Sequence, residues 1–229
     1  MKQAFLLLSA VLAACISTTA TAQSLGDKPA DIAISGIVFT RSLNGAAEAS
    51  TLDAGGLKLA SPAKSDFFRD PDGSNPTDNA PVLLTRIDNR QPFTFTARVT
   101  PKLAEVYDAG ALYIWARDDL WLKFAFERDE RGKSRIVSVR TNATSDDNNH
   151  DAVAAGSVHL KISSDTKSIG FYYSVDGKEW QLIRVFKNDY PAEIWTGVSA
   201  QSPLGKGNSA RFDALSITKA SIRDFRKGL

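Results

Sequence analysis

A period of two is clearest in the run Trp121-Leu122-Lys123-Phe124-Ala125-Phe126-Glu127. Its even positions, Leu122, Phe124 and Phe126, are all apolar, and its odd positions include Lys123 and Glu127. Successive side chains of a β-strand point to opposite faces of a sheet. The run therefore predicts a strand that turns one face towards an apolar core and presents Lys123 and Glu127 on the other face.

Similar short alternating runs, separated by clusters of Gly, Pro, Asp and Asn, occur along most of the chain. No stretch shows the i, i+3, i+4, i+7 spacing of an amphipathic helix. Many short strands with hairpin-length connections are typical of two packed antiparallel sheets. The sequence predicts an all-β sandwich with strands at residues 32–40, 57–60, 82–87, 93–100, 111–117, 121–127, 134–141, 158–163, 169–175, 180–186, 194–200 and 210–218.

The composition excludes several classes of protein. The 28 Lys and Arg residues nearly balance the 26 Asp and Glu residues, which leaves a net charge of +2. This charge excludes a protein that binds nucleic acid through a large excess of basic residues. A charged content of 24% together with an aromatic content of 9% excludes a disordered chain. The single cysteine excludes an internal disulfide framework.

The first residues have the pattern of a targeting segment. A short basic start at 1–3 precedes an apolar run at 4–14, and Ala20-Thr21-Ala22 offers the small-x-small pattern of a signal peptidase site. We therefore expect a signal peptide at 1–22 and a single domain at 23–229. Leu12-Ala13-Ala14-Cys15 also resembles a bacterial lipobox, in which Cys15 would be lipidated.

Both interpretations of this segment predict export from the cytoplasm. The first predicts a secreted or periplasmic protein, and the second predicts a lipoprotein anchored in the envelope through Cys15. The apolar run spans about 16 Å as a helix, too short for a bilayer core of about 30 Å. We expect no membrane span, so that a lipid anchor would be the only membrane attachment.

The register of the central strands can be predicted from the pattern. A three-residue loop after residue 117 pairs Trp115 with Lys123. The next hairpin then pairs Lys123 with Ser138 and Trp121 with Arg140. Because opposed residues share a face of the sheet, these five side chains are expected on one face.

The same alternation in two later strands adds further polar and aromatic residues to this predicted face. Flat aromatic rings beside fixed hydrogen-bonding groups suit a sugar, whose C–H side packs on the ring. An ordinary solvated face is the alternative. The full predicted face comprises Tyr113, Trp115, Arg117, Trp121, Lys123, Glu127, Ser138, Arg140, His159, Lys161, Tyr172 and Ser174.

Several short motifs, taken in order, resemble a known family. They are Ser65-Asp66-Phe67-Phe68, Tyr107-Asp108-Ala109-Gly110-Ala111-Leu112, the run 121–127, Ser138-Val139-Arg140-Thr141-Asn142, Ser145-Asp146, Tyr173-Ser174-Val175-Asp176-Gly177-Lys178-Glu179-Trp180 and Ser202-Pro203. Together they resemble the domain of unknown function called "regulation of enolase protein 1-like", in the concanavalin A-like lectin/glucanase superfamily. The resemblance implies a jelly-roll sandwich of two curved sheets with the polar face on the concave side. Members of the superfamily mostly bind or cleave glycans across that face. An aromatic residue usually follows the Ser-Asp pair, whereas this sequence has Asp147.

Catalysis is the less favoured interpretation of the same strand. Retaining glucanases of the superfamily place carboxylates at alternate strand positions, but this sequence has Lys123 and Ala125 there and only Glu127 as an acid. Asp108, Asp146 and Asp147 are candidate second acids, which we expect to lie in loops. A lyase would use Lys123 or His159 together with Glu127. Whether the protein is an enzyme stays open at this point.

An acidic loop at 70–78 raises the question of calcium. Asp70, Asp72 and Asp78 supply oxygen ligands at a spacing that Ca²⁺ tolerates. Asp, Asn, Gly and Pro are also typical of ordinary turns, so a solvated loop is the favoured interpretation. Apart from that calcium candidate, we expect no cofactor.

The preferred hypothesis is an exported carbohydrate-binding jelly-roll domain with a glycan as its partner and no nucleic acid. The alternatives are a glycan-degrading hydrolase or lyase with Glu127 as its catalytic residue, and a protein-binding envelope module. The predicted ligand-binding residues are Trp115, Trp121, Lys123, Glu127, Ser138, Arg140, Asp146 and Tyr172.

Overall fold

The computed structural model describes residues 27–229. The predicted signal peptide at 1–22, including Cys15, lies outside these residues. Among residues 27–229 no helix has the length and hydropathy needed to cross a bilayer. The described chain forms seventeen strands.

The strands follow one another through hairpins and short loops. They are β1 (Lys28–Ile34), β2 (Ile37–Leu43), β3 (Ser50–Asp53), β4 (Gly56–Pro62), β5 (Phe67–Phe68), β6 (Thr77–Asp78), β7 (Val82–Asp88), β8 (Phe93–Pro101), β9 (Ala109–Arg117), β10 (Leu120–Arg128), β11 (Ser134–Asn142), β12 (Thr144–Ala152), β13 (Val158–Ser164), β14 (Ser168–Ser174), β15 (Gln181–Lys187), β16 (Glu193–Gln201) and β17 (Gly207–Thr218).

Two large antiparallel sheets contain most of these strands. The eight-stranded sheet has the order β1-β2-β7-β16-β9-β10-β11-β12, and the seven-stranded sheet has the order β15-β14-β13-β8-β17-β4-β3. The short strands β5 and β6 form a separate two-stranded ribbon. The predicted all-β jelly-roll sandwich is confirmed.

The main hydrophobic core lies between the two sheets. Leu122, Phe124 and Phe126 of β10 are fully buried in it, and the ring of Phe124 stacks on that of Phe171 from β14 at 4.6 Å between centroids. We call the side of each sheet that faces this core its inner face, and the opposite side its outer face. The alternation predicted for 121–127 is confirmed, because the even positions lie on the inner face.

The predicted register between β9 and β10 is wrong by two residues. Trp121 lies opposite Trp115, and Lys123 lies opposite Tyr113. The cause is a register irregularity between Leu120 and Trp121 at the start of β10. A shift of two residues keeps every side chain on its predicted face, so these four residues remain on the outer face.

The predicted register between β10 and β11 is wrong by one residue, and this changes the face. Ser138 lies opposite Phe124, and Arg140 lies opposite Leu122. Both polar residues therefore lie on the inner face, and Val139 lies opposite Lys123 on the outer face. Strand β11 has apolar residues at both parities, so its pattern did not fix the register.

His159, Lys161, Tyr172 and Ser174 do not share a face with Lys123. They belong to β13 and β14 of the other sheet and lie on its outer face. Alternation decides the side of a residue within its sheet, but it does not decide which sheet a strand joins.

The C-terminal residues pack over the outer face of the seven-stranded sheet. The hydroxyl of Tyr172 donates to the carbonyl of Phe225 at 2.8 Å. The ammonium of Lys161 donates to the carbonyl of Gly228 at 2.8 Å and lies 3.5 Å from the ring centroid of Trp180. Residues 221–229 thus cover Tyr172, which is fully buried.

Candidate functional site

A second apolar cluster lies on the outer face of the eight-stranded sheet. Tyr113, Trp115 and Trp121 project there from β9 and β10, and Phe67 of β5 packs on all three. The ring of Phe67 meets them edge-on, at 6.4, 5.1 and 6.3 Å between centroids, and Trp115 stacks on Trp121 at 6.2 Å. We call these four residues the aromatic cluster.

The aromatic cluster changes the role expected for its two tryptophans. Trp115 and Trp121 were predicted to present open ring faces to a sugar, but both are 0% exposed. Phe67 occupies the position that a ligand would need. The alternating pattern did not predict this contact, because Phe67 lies in a distant segment that precedes both tryptophans in the sequence. Its one signal was the motif Ser65-Asp66-Phe67-Phe68.

A cavity of about 460 Å³ opens beside the aromatic cluster on the same face. Lys123 and Glu127 of β10 line it together with residues from several other parts of the chain. They include Asp66 and Phe68 near the two-stranded ribbon, Tyr107 before β9, Val139 of β11, Asp147 and Asn149 of β12, and Gln201 at the end of β16. This cavity is the candidate functional site.

Lys123 is an organising residue within the cavity wall, and its side chain is almost fully buried. Its ammonium donates to Asp66 Oδ1 at 3.0 Å, to the carbonyl of Phe67 at 2.8 Å and to Gln201 Oε1 at 3.0 Å. Burial by itself would lower the pKa of Lys123, but the surrounding acidic groups, of which Asp66 acts most strongly, together outweigh burial and raise the pKa above its usual range. Lys123 is therefore charged and fixes three neighbours.

Gln201 connects Lys123 to Glu127. Its amide nitrogen donates to Glu127 Oε2 at 3.1 Å and to the carbonyl of Tyr107 at 3.1 Å. Burial raises the pKa of Glu127 well above its usual value of 4.5, although the charge of Lys123 acts in the opposite direction. A buried carboxyl of this kind holds its proton at higher pH than an exposed one, which is the property of a general acid.

The neighbouring residues Asp146 and Asp147 have different environments, although both were predicted in a loop. They lie in β12, which pairs with β11. Asp147 opposes Val139 on the outer face and lines the cavity, where burial raises its pKa. Asp146 points the other way and forms an ion pair with Arg184 of β15 at 3.1 Å. The structure therefore places Asp147, and not the predicted Asp146, at the candidate site.

Tyr107 and Phe68 provide the aromatic surface that the cavity presents. Tyr107 is 36% exposed and Phe68 is half-buried. The backbone of Tyr107 has φ of 67°, in the left-handed region that costs a residue with a side chain about 1–3 kcal/mol. Its amide donates to the carbonyl of Arg128 at 2.7 Å, which holds this conformation. The strained backbone directs the Tyr107 carbonyl towards Gln201.

The remaining predicted site residues lie elsewhere. Ser138 forms a 2.8 Å hydrogen bond with Nε2 of His150 on the inner face, and Arg140 is half-buried on that face. Tyr172 lies beneath the C-terminal residues of the other sheet. Asp108, a candidate second acid, accepts the hydroxyl of Ser202 at 2.7 Å and backbone amides of the adjoining loop, so its role is structural.

The three carboxylates considered for calcium are not gathered into one site. Asp70 lines the cavity, Asp72 accepts the amide of Ser74 at 2.9 Å, and Asp78 pairs with Phe67 in the ribbon. In the part of the chain that the structure describes, no group of three or more His, Cys, Asp or Glu side chains is arranged to hold a metal ion. The calcium candidate stays an untested prediction.

The fold and the cavity define a β-sandwich domain with a polar site on the outer face of one sheet. Comparison with family models identifies the family. The chain belongs to the family described as "Protein of unknown function (DUF1349)", whose model matches residues 43–220. No curated protein matches the sequence.

Solved structures share this fold. A functionally unknown protein from Saccharomyces cerevisiae is 24% identical and superposes with a TM-score of 0.71 over 78% of this chain and 95% of its own. A GH43 protein from Bacillus licheniformis is 15% identical, with a TM-score of 0.63 over 78% of this chain but only 36% of its own. A lectin from Bauhinia forficata in complex with GalNAc is 10% identical, with a TM-score of 0.51 over 76% of this chain and 90% of its own.

Proposed function

We propose that this protein binds a carbohydrate in the cavity lined by Lys123, Glu127 and Asp147. The observation that carries the proposal is the combination, in one cavity of about 460 Å³, of aromatic surface with carboxyl and amide groups held in fixed positions. Sugar rings offer an apolar C–H side and many hydroxyls, and such a cavity matches both.

The hydrogen bonds around Lys123 support this function because they hold the polar groups in place before a ligand arrives. Lys123 fixes Asp66 and Gln201, and Gln201 in turn fixes Glu127. Groups held in this way lose little conformational entropy when they bind. A ligand hydroxyl would donate to the free oxygens of these carboxyls, and its C–H side would pack against Phe68 or Tyr107.

The structural neighbours agree with a glycan ligand. One neighbour is a lectin in complex with GalNAc, and another is a GH43 protein, of which this chain matches about a third of the length. Membership of the narrower "regulation of enolase protein 1-like" group remains part of the proposal.

A glycan array followed by calorimetry on the best binder tests the proposal. Phe68→Ala removes an aromatic wall of the cavity, and we expect it to weaken binding about tenfold, since aromatic packing contributes roughly 1.4 kcal/mol. Trp180→Ala is the matched control, because it truncates an aromatic residue on the outer face of the other sheet and is expected to retain the affinity. An array without hits, together with capture of an envelope protein by the wild-type chain, would favour the protein-binding alternative.

Hydrolysis of the bound glycan is the second candidate function, and the raised pKa of Glu127 favours it. Asp147 lines the same cavity, and glycoside hydrolysis uses a protonated carboxylic acid together with a second carboxyl. The test is incubation with a panel of polysaccharides and detection of new reducing ends. Glu127→Gln should abolish turnover, while its amide oxygen can still accept a hydroxyl of a neutral glycan. A wild-type protein that binds a glycan but yields no product would contradict this second candidate.

We also propose that the chain is exported, through the segment at 1–22 or through lipidation of Cys15. Mass spectrometry of the mature protein distinguishes the two routes. An N-terminus at Gln23 supports signal peptidase cleavage, and a lipidated Cys15 supports an envelope lipoprotein. A full-length chain that stays in the cytoplasm would contradict export.

A further inference from the structure

The basic residues that line the cavity have few donors left for a ligand. The three N–H groups of Lys123 are all used by Asp66, Gln201 and the carbonyl of Phe67. Lys64, at the rim, donates to the carbonyl of Leu204 at 2.7 Å. Lys123 therefore organises acceptors and leaves no donor for an anionic ligand.

The cavity is rich in acceptors. Five carboxyl residues line it, namely Asp66, Asp70, Glu127, Glu130 and Asp147. Glu127 is only 7% exposed, and within residues 27–229 its Oε1 atom forms no hydrogen bond, while Oε2 is held by Gln201. The Oε1 atom is not sealed off from the cavity, so a donor group of a ligand can reach it.

We propose that the cavity selects amino sugars with a free, protonated amine, such as oligosaccharides of glucosamine. This inference rests on the proposed carbohydrate function and specifies its ligand class. The ammonium group would lie between Glu127 and Asp147 and donate to the free oxygen of Glu127. Two carboxyls beside one ammonium match its charge and its three donors.

Two further features agree with a cationic ligand, and binding of a cation has one measurable consequence. The ring faces of Phe68 and Tyr107 attract cations as well as apolar C–H groups. An anionic sugar, such as a uronic acid, would meet several carboxylates and no free donor of Lys123. A cation next to Glu127 also favours its ionised form, so that binding at neutral pH should release a proton. The charged groups that act on Glu127 are Lys123, Asp66, Asp147 and Asp129.

The test is calorimetry with matched ligands, in the presence of EDTA to exclude bridging metal ions. The ligands are a tetramer of glucosamine, the same tetramer fully N-acetylated, an oligogalacturonate and spermidine as an amine that is not a sugar. We expect the glucosamine tetramer to bind at least about tenfold more tightly than each of the others. Titrations in two buffers of different ionisation enthalpy should show proton release on binding.

Asp147→Asn and Glu127→Gln should each reduce the preference for the free amine at least about fivefold. Asp146→Asn is the matched control, because the Asp146 carboxylate lies on the other face of the sheet and pairs with Arg184. This variant should leave the preference for the free amine unchanged. Circular dichroism verifies that the variants fold, and the two cavity variants provide independent tests.

The outcomes separate this inference from the proposed function. Equal or tighter binding of the acetylated tetramer would overturn the amine preference, and so would a preference for oligogalacturonate. Either result would still support carbohydrate binding. Equal binding of spermidine would overturn the sugar requirement. If no carbohydrate binds, both this inference and the proposed function fail.

Discussion

Replacing Lys123 with methionine tests the idea that one buried ammonium organises the candidate site. Methionine has a similar length and an apolar stem, so the substitution removes the charge with little change in volume. The side chain of Lys123 is 3% exposed and that of its ion-pair partner Asp66 is 15% exposed. The variant would leave Asp66 without its cation and Gln201 Oε1 without its donor.

The structure sets the size of the effect. Removing one partner of a buried ion pair costs roughly 3–5 kcal/mol. Because water reaches part of Asp66, we expect the lower end of this range, about 3 kcal/mol. For a chain of this size each kcal/mol changes the melting temperature by about 2–4 °C, so Lys123→Met should melt roughly 6–12 °C below the wild type.

Urea unfolding followed by tryptophan fluorescence measures this difference, since the Lys123 ammonium lies 6.0 Å from the ring of Trp121. Lys64→Met is the matched control at the cavity rim and should change the free energy of unfolding by less than about 0.5 kcal/mol. Adding Asp66→Asn to Lys123→Met removes the unpaired charge and should recover at least about 1 kcal/mol. A loss below about 1 kcal/mol for Lys123→Met would refute the organising role.

Three further predictions follow from other contacts. Because burial raises the pKa of Glu127, the folded state keeps a proton that the unfolded state loses above pH 4.5. The free energy of unfolding should therefore fall as the pH rises above 4.5, by up to about 1.4 kcal/mol per pH unit. Glu127→Gln should remove this slope, as measured by urea unfolding at a series of pH values. Gly197→Ala places a methyl group against the backbone of β7, and it should prevent soluble expression or lower the free energy of unfolding by more than about 3 kcal/mol. Gly156→Ala is the control, because open space surrounds that residue, and it should leave the melting temperature unchanged. Burial lowers the pKa of Lys161 to about 8, and deleting residues 221–229 should return this pKa towards its usual value of 10.5, as measured by NMR titration of the lysine.

The sequence predicted the faces of β9 and β10 correctly because their inner positions are consistently apolar. In β10, for example, Leu122, Phe124 and Phe126 all lie on one face, so only that face can turn towards the core. The register of β11 was not predictable in the same way. Ile136 packs in the core between the sheets, while Val137 and Val139 pack in the aromatic cluster on the outer face. When a strand has apolar residues on both faces, its sequence pattern fits two registers equally well.

Strand β12 illustrates the second limit of the sequence pattern. It reads Thr-Ser-Asp-Asp-Asn-Asn-His-Asp-Ala from Thr144 to Ala152, has no alternating apolar residues and was expected to be a loop. Backbone pairing with β11 makes it a strand, and that pairing directs Asp147, but not Asp146, into the cavity. The covering of Trp115 and Trp121 by Phe67 escaped prediction for a related reason, since such a contact depends on tertiary structure.

The position of β12 has a consequence for how the protein avoids self-association. It is the last strand of the eight-stranded sheet, so among residues 27–229 no strand pairs with one side of its backbone. Such an edge is a template for pairing with another chain, and clustered like charges discourage that pairing. The consecutive carboxylates Asp146 and Asp147 would repel the same edge of a second molecule. Neutralising both is expected to promote edge-to-edge dimers, so that Asp147 both lines the cavity and helps to protect the sheet against aggregation.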